Sequence, residues 1–181
     1  MRGKLGAVAV LLVALAVTAF ACDKDKQSCA PTITACGCSI QRDGVYTVAN
    51  NLSAASGLTS DGACIDVESD GVTLLTNGYA ITGEGKGIGI NLLPESKRAF
   101  LSAAGPGLTY TEISGWQYGM KSTADGVTSE GFYFTRNATG VLIDAKRNNL
   151  TLFGSYANAE YGVLVSGGEG NQLSYGGVSG R

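Results

Sequence analysis

No histidine occurs anywhere in the 181 residues, and that absence removes Ser-His-Asp and Cys-His nucleophilic catalysis, histidine zinc sites and histidine pH switching together. Methionine is limited to Met1 and Met120, too few for a thioether-rich metal-handling surface. Proline is scarce at 3 residues while glycine reaches 27 and 44% of the chain is hydrophobic, a balance that fits a turn-rich all-β domain and neither collagen nor disorder. Charge is low, with a formal net of −2, so there is no basic footprint for nucleic acid or an anionic membrane. The length admits one domain with a continuous core.

One long apolar run exists, and it stands at the N-terminus. Arg2 and Lys4 precede the run Leu5 to Val17, which ends in Ala19-Phe20-Ala21. Basic residues, a short apolar stretch and an A-x-A site together predict a cleaved export signal over 1–21; the run is too short for a spanning helix. Cys22 follows the predicted cut and is the candidate for lipidation, although Ala19 and Phe20 depart from the usual lipobox, so a lipid anchor and a free mature protein both stand open. Any membrane association is expected only through such an anchor. The other four cysteines, Cys29, Cys36, Cys38 and Cys64, are an even set that predicts two disulfides in an oxidising compartment, with the pairing undetermined. Cys36-Gly37-Cys38 without a second pair is a poor metal motif.

From Cys64 onward the sequence resembles itself at intervals of about 22 residues. Gly119-Met120, Gly140-Val141 and Gly162-Val163 open successive apolar segments 21 and 22 residues apart. A second register passes through Gly126-Val127-Thr128, Asn149-Leu150-Thr151 and Gln172-Leu173-Ser174 in steps of 23. Asn137 and Asn158 recur 21 apart in the intervening turns, where stacked amides would bond along a ladder. The segments are short, alternate, and are bounded by glycine or asparagine, which is strand punctuation and not helix periodicity. Stacking buries what no single segment can hide: Ile65, Ile88, Met120, Val141 and Val163 are expected in one interior column.

Asp70-Gly71-Val72-Thr73-Leu74, Asn77-Gly78-Tyr79-Ala80-Ile81-Thr82-Gly83 and Gly87-Ile88-Gly89-Ile90 resemble the first coil of right-handed β-helix proteins of the pectate-lyase-like superfamily, of bacterial secreted or lipoprotein type. The fold expected is therefore an all-β, right-handed, single-stranded parallel β-helix of four to five coils. Residues 22–50 would form an N-terminal segment and cap, disulfide-linked, and 51–181 the coils. Pro94–Pro106 departs from the period and reads as a longer coil or an excursion. No polar cap is legible before Arg181, so an oligomer contact is expected at that open end, or the chain continues beyond it.

Strand alternation places Asp66, Glu68, Asn91, Lys121, Leu142, Asp144, Thr123, Leu164 and Ser166 on the outside of one sheet. The resemblance makes that face the usual groove, with Asp66, Glu68, Asn91 and Thr123 as ligand-binding candidates. In lyases and epimerases of the superfamily, an acidic set with Ca²⁺ neutralises a uronate and a base removes a proton. On that alternative Asp66, Glu68 and Asp144 would take the cation or substrate and Lys121 would be the base; otherwise no metal or cofactor is expected. Leu142 and Leu164 interrupt the polar face, and no polygalacturonase signature is present, so solvated strand charges are the favoured reading. Trp116, Tyr118, Tyr133 and Tyr161 are candidates for stacking on sugar rings, weighed against core packing, because Phe132 and Phe134 flank Tyr133. Gly83-Glu84-Gly85-Lys86-Gly87 lacks the spacing of a phosphate loop and reads as a turn, and the sequons at Asn51, Asn137 and Asn149 read as turn asparagines. The function expected is an exported protein that presents an elongated surface to polysaccharide or another envelope component; the alternative is a polysaccharide lyase or epimerase.

Overall fold

The computed structural model describes residues 27–105, 110–175 and 178–180. The export signal and Cys22 lie outside the described residues. Within them the chain forms a parallel β-solenoid of about six turns with almost no helix. After the short β1 (Thr32–Ile33), the first turn contains β2 (Cys38–Ile40), β3 (Gly44–Val48) and β4 (Leu52–Ser53). The second holds β5 (Ala63–Val67), β6 (Val72–Leu75) and β7 (Ile81–Thr82), and the third β8 (Ile88–Leu92), β9 (Phe100–Ser102) and β10 (Thr111–Ser114). Then come β11 (Tyr118–Ser122) with β12 (Thr128–Thr135), and β13 (Thr139–Asp144) with β14 (Asn149–Asn158). The last described turn contains β15 (Tyr161–Gly167), β16 (Gln172–Tyr175) and β17 (Val178–Gly180).

Among the described residues every strand pairing is parallel. One sheet has six strands in the order β15-β13-β11-β8-β5-β2. The rest form a second sheet, which wraps two sides of the coil because β12 and β14 run around the corner without a break. Thr128–Glu130 of β12 pair with β9, whereas Phe132–Thr135 pair with β10, and a register shift marks the bend between Glu130 and Phe132. Six turns exceed the four to five expected because β2 and β3 already pair in register with β5 and β6. The coils are also uneven: Ile65 pairs with Ile90 and Met120 with Val141, 25 and 21 residues on, while the coil that contains Pro94 steps 30 from Ile90 to Met120.

The interior is an aliphatic column as expected, with one correction: Ile88 pairs with Ala63 and Tyr118, and Ile90 takes its place in the row of Ile65 and Met120. Ile65, Ile90, Met120 and Val141 are buried in one register row, and Val67, Leu92, Ser122 and Ile143 in the next but one. Each buried Ile, Leu or Val contributes on the order of 1.5–3 kcal/mol from removed apolar area. Val163 is half-buried and Val165 exposed, because β15 is the edge strand of its sheet. The stacked glycines have a steric cause beyond punctuation: a Cβ on Gly89, Gly119 or Gly140 would lie 2.5, 2.7 and 2.4 Å from the carbonyl oxygen of the next coil's glycine.

Two corners are held by the same device, a left-handed residue followed by asparagine. At one, Arg136 (φ 55°) and Ala157 (φ 51°) precede Asn137 and Asn158; at the other, Arg147 (φ 56°) and Gly170 (φ 71°) precede Asn148 and Asn171. Asn137 Oδ1 accepts the Trp116 N–H at 2.9 Å and its Nδ2 donates to the Ile113 carbonyl at 3.0 Å. In the second ladder, Asn148 Oδ1 accepts from Val127 N–H at 2.8 Å and Asn171 Oδ1 from Asn148 N–H at 2.9 Å. Backbone donors that the bend takes out of the sheet are thereby satisfied inside the core. Cys29 bonds to Cys38 and Cys36 to Cys64, which decides the pairing that spacing left open and ties the N-terminal segment to the second turn.

Candidate functional site

On the six-stranded sheet, backbone register sets Ser39, Asp66, Asn91, Lys121, Leu142 and Leu164 in one row across six coils. The expected approach of Asp66 to Asn91 is present: Asn91 Nδ2 donates to Asp66 Oδ1 at 2.8 Å, and both residues are buried. Asp66 is thus not a solvated strand charge. Its cover is the turn before β5, closed by Gly62 N–H to Thr59 O at 2.9 Å and by Ala63 N–H to Thr59 Oγ1 at 3.0 Å. Burial pushes the Asp66 carboxyl above the ordinary aspartate value, hydrogen bonds from Thr59 and Asn91 pull the other way, and the charges of Asp61 and Glu68 push it up again. Its second oxygen, Oδ2, is buried with no hydrogen-bond partner.

The remaining candidates separate. Glu68 is half-buried on the same edge as Asp66, and its N–H bonds the Ile40 carbonyl at 2.9 Å. Thr123 spends its hydroxyl on the Leu92 carbonyl at 3.0 Å. Lys121 is half-buried beside Asn91, whereas Asp144 is exposed at the end of β13 opposite Gly167. Asp144 stands three coils from Glu68, about 14 Å at ordinary strand spacing, beyond the separation of two carboxylates that share one glycosidic bond.

A second surface was only partly legible. Four rings from three successive turns gather on the outer side of β12 and β14. Tyr110 and Phe153 stack at 4.8 Å with an interplanar angle of 17°; Tyr133 meets Tyr110 edge-on at 5.8 Å and lies 5.6 Å from Tyr156. Gly154 makes the cluster possible, since a Cβ there would come within 2.4 Å of the Tyr156 ring and 3.1 Å of Tyr133. Phe153 is 50% and Tyr110 41% exposed, so the platform faces solvent. Of the aromatic candidates, Tyr133 belongs to this platform and Tyr161 is exposed elsewhere, on β15. Trp116 belongs to the core, 1% exposed, with Nε1 donating to the Ile81 carbonyl at 3.1 Å. Phe132 and Phe134 are buried as expected for residues flanking Tyr133.

Charges that sequence reading left unassigned stack along the corner between β5 and β6 and its counterparts in the later turns. Arg98 pairs with Asp70 through two nitrogens, at 3.2 and 2.5 Å, Arg147 lies 3.8 Å from Asp125, and Lys146 3.9 Å from Glu169. Acid and base alternate from coil to coil, so these cations are engaged with carboxylates of neighbouring turns. The Arg98 guanidinium holds the Asp70 carboxyl below its ordinary range. These ion pairs link neighbouring coils, and Asp70, Lys97, Arg98, Asp125, Gly126 and Arg147 line a shallow cavity between them.

No family model, curated protein or solved structure matches the chain. Two disulfides beside a solenoid core indicate an oxidising, exported environment. Among the described residues no helix is long and apolar enough to cross a membrane.

Proposed function

We propose that the protein is an exported, non-catalytic polysaccharide-binding solenoid, located at the cell envelope or outside the cell. The carrying observation is the exposed platform of Tyr110, Tyr133, Phe153 and Tyr156. Rings supply large rigid apolar faces with few torsions to freeze, and such faces stack on the apolar face of a pyranose. The solenoid repeats about every 4.8 Å along its axis, so a polymer lying along that axis meets a ring from each of three turns.

Absence of turnover is supported by one feature: Asp144 stands three coils from Glu68, so the carboxylates do not converge on one bond. The pectate-lyase-like resemblance is consistent with a carbohydrate ligand, and lipidation of Cys22 would tether the platform at a membrane surface. The experiment is a glycan array run with the mature protein, accompanied by assays for unsaturated products and reducing ends on the same uronate and neutral glycans. Binding without cleavage is expected. Cleavage of any glycan would replace this reading by the lyase or epimerase alternative, and an array with no binding would reassign the platform to protein contact.

A further inference from the structure

Charge is divided unevenly around the solenoid, and the division bears on which glycan suits the aromatic platform. The strands that carry or flank the four rings, β10, β12 and β14, contain no lysine or arginine. They do place two glutamates beside the rings. Glu112 pairs in register with Tyr133 on the next coil, and Glu130 pairs with Thr151, two residues before Phe153 on the same face. Glu130 is exposed, and its Oε1 accepts from Ser102 Oγ at 2.9 Å. Arg136, which follows β12, is spent on Glu112: its Nη2 donates to Oε1 at 2.7 Å. Two carboxylates thus stand against one guanidinium, and the rim of the platform is net negative. The cations Lys97, Arg98, Lys146 and Arg147 stand instead at the corner where β9 and β14 begin. Arg147 precedes Phe153 by six residues, up to about 20 Å of extended chain.

A uronate polymer laid on the rings would bring a carboxylate with each sugar toward this rim, where like charges repel and the Arg136 guanidinium is already engaged. Hydroxyls of a neutral sugar are donors, and glutamate oxygens accept charge-assisted hydrogen bonds from them. We infer that the platform selects an uncharged polysaccharide, a hexose polymer without uronate or sulfate groups, seated on Tyr110 and Phe153 with hydroxyls donating to Glu112 and Glu130. This selectivity rests on the platform being a glycan site, and it runs counter to the uronate chemistry that the pectate-lyase-like resemblance implies.

The test is affinity electrophoresis of the mature protein at neutral pH and low ionic strength through gels that contain matched polymers. Hydroxyethylcellulose is set against carboxymethylcellulose, and methyl-esterified homogalacturonan against polygalacturonate, with galactomannan and alginate as further neutral and acidic arms. Binding through the platform is the retardation that Tyr110→Ala/Phe153→Ala abolishes. Such retardation is expected in one or more neutral gels and in no acidic gel. In Glu112→Gln/Glu130→Gln the rim becomes net positive, because Arg136 is released. Affinity for the acidic counterpart of the retained backbone should then rise about five-fold or more, the effect of two unit charges at about 7 Å in water. Both side chains reach solvent, and circular dichroism checks that this variant keeps the fold. Platform-dependent retardation of the wild type by an acidic gel would overturn the selectivity while leaving the platform a glycan site, as would equal affinity of wild type and glutamine variant for the acidic polymers. Lack of platform-dependent retardation in every gel would overturn the platform reading and the selectivity with it.

Discussion

Asn158 Oδ1 accepts the backbone N–H of Asn137 at 3.0 Å, and Asn137 passes the same bond to Trp116 one coil earlier. The ladder fixes coil on coil from the inside of a corner. Asn137→Ala removes an acceptor for one buried N–H and a donor for the Ile113 carbonyl at once. The expected loss is about 2–6 kcal/mol, at roughly 1–3 for each orphaned group, read from chemical denaturation. An unchanged midpoint would mean that the ladder is ornamental.

Close coil contact at the glycine row gives a steric counterpart. In Gly140→Ala the new methyl would lie 2.4 Å from the Gly162 carbonyl and 2.5 Å from Ser155 Oγ, with backbone on one side that has no freedom to yield. Destabilisation of about 1–3 kcal/mol or more is expected from overpacking. Alanine at Gly85, where nothing lies within 4 Å, isolates the effect of φ alone, about 1–2 kcal/mol.

The two bridges close loops of different length. Cys36–Cys64 spans 28 residues and Cys29–Cys38 spans 9. On the chain-entropy account, replacing the longer pair by serines costs about 1 kcal/mol more than replacing the shorter. Parallel denaturation of the two double variants measures the difference, and the reverse order would show that native-state packing at Cys29 governs instead.

Much of this architecture was legible in the chain. Glycines 21 and 22 apart, the Val and Ile after them, and the pair Asn137 and Asn158 all express contacts between like positions of stacked coils, so period and chemistry coincide. The turn count was less accessible, because β2 and β3 carry the pattern at a spacing of 27 from Cys38 to Ile65 and share little sequence with later coils. At the candidate site, alternation brought Asp66 to Asn91 correctly but gave no sign that Asp66 would be buried. Its cover comes from Thr59 and Asp61, on a turn outside the repeat. The platform was half visible through Tyr133; Phe153 escaped because the register shifts beside Phe132 alter which residues of β12 and β14 face out.

Asp66 sets a pH dependence with a definite sign. Its folded pKa is raised by burial, so over the interval between the ordinary aspartate value and the raised one the native state holds more protons than the unfolded state. Stability therefore falls as pH rises through that interval, and the fall is absent in Asp66→Asn. Urea midpoints of both proteins across mildly acidic pH check this; parallel pH profiles would refute it.

The polysaccharide reading is tested most directly by affinity electrophoresis of the wild-type protein and the Tyr110→Ala/Phe153→Ala double variant through gels that contain each glycan bound on the array. Both side chains are exposed, so the variant should keep the wild-type fold by circular dichroism. Retardation of the wild type and its loss in the variant, about five-fold or more in affinity for two stacking contacts of about 0.5–1.5 kcal/mol each, is the expected result. Equal retardation of the two proteins would contradict the platform as the site of binding.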